Sequence, residues 1–183
     1  MLSNRVVFGY HGCDASLAER LVTGRADLIS SATELEWLGS GSYFWEDSPD
    51  RARRWAEEKV KKGGRGIKKP AVVGAIIDLG NCLNLVDSEA LSLVKEAFQI
   101  LKTTTESLPR NKGQDGKARG LDCAVIETLH QFRAENDKTS FDTVRSFFLE
   151  GHELYPSAGF RELDHVQICV RKAHSIKGYF LPR

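Results

Sequence analysis

Apolar residues in this chain gather in two unbroken blocks and several helical stripes, and the spacing between them lays out a strand and helix order. The block Val6-Val7-Phe8-Gly9 predicts a buried strand over residues 5–10 that runs into Tyr10-His11-Gly12. Asp14 follows as a helix cap, with Leu17, Leu21 and Val22 at helical spacing before Gly24 stops the helix. Residues 25–40 are mixed and polar around Trp37 and Leu38, a loop packed over something and a candidate pocket wall. Ser48-Pro49 opens a helix to about Lys62, with Ala52, Trp55, Ala56 and Lys59 on one stripe. The second block, Ala71 to Leu79, suits a central strand, in which Gly74 marks a bend or a close contact.

The second half reads less evenly. Residues 87–106 form a helix with Leu91, Val94, Phe98 and Leu101 inward, and 108–120 form a loop with a turn signal at Asp115-Gly116. A helix over 122–135 places Val125, Ile126, Leu129 and Phe132 together, while 143–149 fits a strand or a short helix equally. Two strands close the chain, 165–171 and about 176–181, joined by a turn at 172–175. There is no internal repeat, and 183 residues suit one domain over 1–183, with 87–120 as a candidate helical insertion.

Charge narrows little. Lys plus Arg number 26 against 25 acidic residues, so a net +1 neither points to nucleic acid nor to a membrane surface. Six basic residues do cluster from Lys59 to Lys69, but no aromatic interleaves them to stack on bases, and the segment reads as a solvated loop. Its Gly63-Gly64-Arg65-Gly66 lacks the ending of a phosphate-binding loop. The four cysteines, Cys13, Cys82, Cys123 and Cys169, are dispersed without a Cys-x-x-Cys, which argues for a reducing, cytoplasmic setting and against zinc. The first apolar run is too short for a signal-peptide core or a membrane span.

Chemistry concentrates where polar residues interrupt strands. His11 sits between Tyr10 and Gly12, and a glycine there leaves backbone groups open to a planar ligand. Gly41-Ser42-Tyr43-Phe44-Trp45 follows about thirty residues on and offers Tyr43 as an aromatic face. Gln167, inside the strand His165 to Val170, is an amide that must find partners, since burying it idle costs roughly 1–3 kcal/mol. Three strands each delivering one such group suggest a nucleotide pocket. A metal site from His11 and Cys13, or a Cys13 nucleophile, has no supporting ligand or base nearby in sequence.

Taken together, Tyr10-His11-Gly12, Gly41-Ser42-Tyr43-Phe44, and Gln167-Ile168-Cys169-Val170 followed by Ile176-Lys177-Gly178-Tyr179-Phe180 resemble the diphtheria-toxin-type, poly(ADP-ribose) polymerase-like ADP-ribosyltransferases. The resemblance implies an α+β fold with a split β-sandwich and flanking helices, and NAD as co-substrate. It implies that His11 bonds the adenosine ribose and that Gly12, with Tyr10 and Ser42 beside the site, holds the nicotinamide carboxamide. Tyr43 and Trp55, twelve residues apart, would sandwich the nicotinamide ring. Bond cleavage in such a site passes through an oxocarbenium-like ribose.

The chain departs from that family at Gln167, where a glutamate is usual. An amide carries no charge and cannot act as a general base, so transfer of a single ADP-ribose, hydrolysis of NAD, or binding without turnover is expected rather than chain elongation. His165, two residues earlier and on the same strand face, is the candidate to activate an incoming nucleophile. Glu162 and Asp164 have the wrong parity, and Glu153 in the preceding loop is a candidate replacement carboxylate. The acceptor, protein or nucleic acid, is left open, as is an antitoxin partner. A tRNA 2′-phosphotransferase-like activity would need Arg119, Arg145, Arg161 and Arg171 to gather at one site.

Overall fold

A computed structural model describes residues 2–31, 36–64, 66–112 and 118–183. The Asp115-Gly116 turn and Arg65 therefore lie outside the described residues. Among the described residues the chain is mixed α+β, with a six-stranded mixed sheet, a two-stranded sheet and four α-helices.

The first strand, β1 (Leu2–Asp14), is longer than its apolar block because β3 (Pro70–Asn84) pairs with it nearly end to end. Asp14 closes this hairpin-like unit twice over. It accepts from Ser16 N to cap α1 (Ala15–Val22), and its other oxygen accepts from Lys68 N and Lys69 N at the entry to β3. Those hydrogen bonds, with the Ser16 hydroxyl, hold the Asp14 carboxyl below the usual range. Between α1 and β3 come β2 (Ser42–Glu46) and α2 (Pro49–Lys61). Pro49 opens α2 as expected, although the Ser48 side chain makes no cap hydrogen bond.

The segment 143–149 resolves as a strand, β6 (Thr143–Phe148), because it has partners on both sides: β3 in parallel and β7 (His165–Val170) in antiparallel register. β8 (Ile176–Phe180) joins the free edge of β3. The pairings β1–β2, β2–β7, β7–β6, β6–β3 and β3–β1 close into a ring. Val7, Ala75 and Ile77 from β1 and β3 pack in one buried cluster with Phe44, Ile168 and Val170 from β2 and β7. Strands from both halves of the ring thus share one buried interior. Gly74 is a close-contact position: a Cβ there would meet the Phe180 ring at 2.3 Å.

α3 (Ser88–Thr104), capped by Asp87, lies against α4 (Gly120–Glu135). Ala97 and Leu101 share a buried cluster with Val125, Leu129, Val144 and Cys169. The segment 87–120 thus contributes to the core through α3. The loop after it carries a small hairpin, β4 (Asn111–Lys112) and β5 (Ala118–Arg119). No described helix is long and apolar enough to cross a membrane.

Candidate functional site

The site begins where two strands part. β1 and β2 are in register only at Gly9 with Glu46 and at Tyr10 with Trp45, after which β1 stays with β3 while β2 follows β7. A cleft of about 740 Å³ opens at this divergence, a volume in the range of small-molecule sites. His11, Tyr43 and Gln167, from β1, β2 and β7, all line it, as do Ser42 and Trp55.

His11 bridges the gap. Its Nδ1 lies 2.8 Å from the Tyr43 carbonyl oxygen, which can only accept, so Nδ1 carries the proton and Nε2 is left as an acceptor. Burial lowers the His11 pKa, outweighing the carbonyl that favours its charged form, and the ring is neutral at pH 7. Tyr43 presents only its ring. Its hydroxyl donates to Gly39 O at 2.7 Å and accepts from Leu38 N at 2.9 Å, and burial pushes its pKa far up, so it is never a phenolate.

Gln167 stands in a row of registered residues, Tyr10, Trp45, Gln167 and Ser146, running across four strands. Its Oε1 accepts from the indole Nε1 of Trp37 at 2.5 Å, and Trp37 in turn packs edge-on to Phe148 with ring centroids 4.8 Å apart. The described residues 36–41 are thereby tied to β7 at the cleft. Their other anchor is Glu127 on α4, which accepts from Ser40 N at 2.6 Å and from both terminal nitrogens of Arg171. Burial alone would raise the Glu127 pKa, but the Arg171 and Ser40 hydrogen bonds outweigh it and hold the group at about 2, against 4.5 unperturbed. A depressed carboxyl stabilises the fold above its unfolded pKa and loses that contribution as pH falls through the folded value. Acidification from pH 4.5 toward 2 is therefore expected to loosen the Gly39–Ser40 anchor before global unfolding. Hydrogen exchange at Leu38 and Ser40 along a pH series, compared with Glu127→Gln at pH 7, checks it.

Three predicted site residues lie elsewhere. Tyr10 and Gly12 are not among the residues lining the cleft. Tyr10 packs against the Phe180 ring, and Gly12 is buried beneath α2, where a Cβ would meet the Ala52 carbonyl oxygen at 2.3 Å. Helix packing by itself requires glycine at 12, whatever its backbone groups bind. His165 shares a strand face with Gln167, as parity required, yet it is sealed between Phe148 and Trp45 and does not reach the cleft. Its Nδ1 donates to Leu163 O, burial lowers its pKa, and its Nε2 has no partner among the described residues. It is not placed to activate a nucleophile.

The carboxylates proposed as replacements are also engaged elsewhere. Asp164 accepts from Glu150 N and Arg161 N, Glu153 accepts from Ser157 N in an exposed loop, and Glu162 is exposed. The buried carboxylate that does line the cleft is Glu150, 2.5 Å from Arg51, the two side chains being only 10% and 8% exposed. The Arg51 guanidinium also lies over the Trp45 ring, 5.4 Å from its centroid. Sequence carried one signal for Arg51: it precedes Trp55 by four residues and so shares its helix face. Trp37 was marked only as part of a candidate pocket wall, and nothing local marked Glu150.

No protein-family model, curated protein or solved structure matches this chain. What the site can do therefore rests on its own geometry.

Four cationic and four carboxylate side chains line the cleft, so it holds no strong net charge. Lys59 and Lys62 belong to the basic stretch and stand at this rim, with Lys59 Nζ 4.8 Å from the centroid of the Trp55 ring. Among the described residues, no three His, Cys, Asp or Glu side chains form a metal-binding group. Cys13 and Cys169 are buried, which pushes their thiols up to about 11 and about 12, and neither is a nucleophile at neutral pH. Three of the four arginines considered for a phosphotransfer site are committed to separate carboxylates: Arg119 to Asp122, Arg145 to Glu46 and Arg171 to Glu127.

Proposed function

We propose that this chain binds NAD in the cleft between β1 and β2 and transfers a single ADP-ribose from it to a macromolecular acceptor. One observation carries the reading: His11, Tyr43 and Gln167, separated widely in sequence, line one cleft whose volume suits a nucleotide. The shared buried interior of β1, β3, β2 and β7 and the parting of β1 from β2 support the split β-sandwich that the resemblance implied. In this reading the neutral His11 accepts a ribose hydroxyl at Nε2, and the Tyr43 ring offers its face to the nicotinamide, with Trp55 and Ser42 on the surrounding wall. Gln167 supplies no charge, so the developing oxocarbenium draws no carboxylate from this position. Elongation of a polymer, which needs a base for the next hydroxyl, is not expected.

A second reading is favoured by a specific contact. The Trp37 indole already occupies the Gln167 carbonyl, which suits a domain that binds NAD or ADP-ribose without turning it over. Water in place of the acceptor would make the protein an NAD glycohydrolase. Purified protein given isotopically labelled NAD, alone and with protein, RNA and DNA fractions, separates the three. Label entering one fraction supports transfer. Rapid nicotinamide release with no label supports hydrolysis. Binding with neither, together with activity gained in Gln167→Glu, supports the binding module. A protein that neither binds nor consumes NAD rejects the proposal. A cytoplasmic site of action and an antitoxin partner are parts of this proposal that co-purification from the native cell would test.

A further inference from the structure

The orientation of the Gln167 amide is fixed by chemistry. An indole N–H can only donate, so the group it meets at 2.5 Å must be the amide oxygen, and the two ends of the amide cannot be exchanged while Trp37 stays in place. The NH₂ end then points away from Trp37. Among the described residues it has no hydrogen-bond partner, and it is not one of the sealed, unpartnered atoms, so it is accessible on a side chain that lines the cleft. Trp37 is itself held by Phe148, over both of whose rings the Arg119 guanidinium lies, at 5.8 and 5.0 Å from the ring centroids. A surface amide would sample both orientations. This one is presented with a single sense.

We infer that Trp37 is a specificity-determining residue: by taking the Gln167 carbonyl it turns the amide N–H toward the cleft, so the ligand atom bound there is a hydrogen-bond acceptor, an oxygen offering a lone pair and not a hydroxyl offering its proton. The inference rests on the proposal that the cleft holds NAD or ADP-ribose, and it applies whether or not turnover follows. It also gives the cleft a directional code. His11 Nε2 accepts, Gln167 Nε2 donates, and Tyr43 contributes a flat apolar face between residues whose own polar atoms are spoken for. A carboxylate at 167 would keep the Trp37 contact and reverse the sign of the group shown to the ligand. An inward N–H would also sit badly beside a ribose carbon gaining positive charge, which ties this orientation to slow bond cleavage or to none.

The test compares binding of ADP-ribose and NAD by calorimetry to wild type, Gln167→Glu and Trp37→Phe, the last keeping the ring on Phe148 while deleting the N–H. Gln167→Glu is expected to bind at least tenfold more weakly, because a donor is lost and lone pairs then oppose one another. Trp37→Phe is expected to bind roughly three- to tenfold more weakly, since the amide is freed to turn. In the unliganded protein, the Trp37 indole proton should exchange at least tenfold faster in Gln167→Leu than in wild type by NMR, a change that a merely space-filling Trp37 would not give. Equal or tighter binding by Gln167→Glu overturns the inference, as does unchanged indole exchange. Wild-type protein that binds neither nucleotide rejects the proposed function instead.

Discussion

Gly12→Ala is expected to destabilise the protein by about 3 kcal/mol, near the upper end of what overpacking usually costs. The added methyl would lie 2.3 Å from a backbone oxygen, that of Ala52, with the Ala56 Cβ at 3.2 Å behind it. A backbone atom inside a helix cannot step aside alone, so α2 must move as a body. For a chain of this size the corresponding fall in melting temperature is about 6–12 °C. Displacing α2 also carries Arg51 and Trp55 away from the cleft, so ligand binding should fail together with stability and not ahead of it. Thermal and denaturant melts check the prediction. A variant that melts like the wild type would show that α2 is not pressed on β1 in solution.

The neighbouring substitution should behave in the opposite way. His11→Ala removes one hydrogen bond to the Tyr43 carbonyl, worth about 1 kcal/mol of stability, and leaves the packing of Gly12 untouched. It also deletes the acceptor that the cleft offers from β1. If NAD is the ligand, affinity should drop by roughly ten- to a hundredfold, the range for removing one partner of a partly buried hydrogen bond. Calorimetric titration beside a melting curve separates the two effects. Full NAD binding by a well-folded His11→Ala protein would remove His11 from the site. The two variants would then separate a residue that serves packing from one that, on the proposed reading, serves the ligand.

How much of this could be read beforehand depended on whether the cause was local. The cap at Asp14, the glycine that stops α1 and the apolar block of β3 are written in a few neighbouring residues, and those elements formed where the pattern placed them. Strand lengths were not legible, because pairing sets them: β1 reaches from Leu2 to Asp14 through contacts that run from Asp14 with Pro70 to Leu2 with Asn81. The same holds for β6, ambiguous by itself and decided by neighbours on both edges. At the site, His11, Tyr43 and Gln167 stood out as polar or aromatic residues beside glycines or within apolar strands. Trp37 stood out only as part of a packed loop, and its contact with Gln167 was not legible, since a loop has no periodicity from which direction can be inferred. Parity put His165 on the correct face, but only the flanking Phe148 and Trp45 rings decide that this face is closed there.

Strand β7 is laid down late. Its partner β2, which lies beside it on the same wall of the cleft, is finished more than a hundred residues earlier, at Glu46. The β1–β3 pairing with α1 and α2 is complete in sequence by Asn84, whereas the cleft has no Gln167 wall until residues 165–170 have emerged. If the cleft binds NAD as proposed, fragments released before residue 165 would be inert toward it.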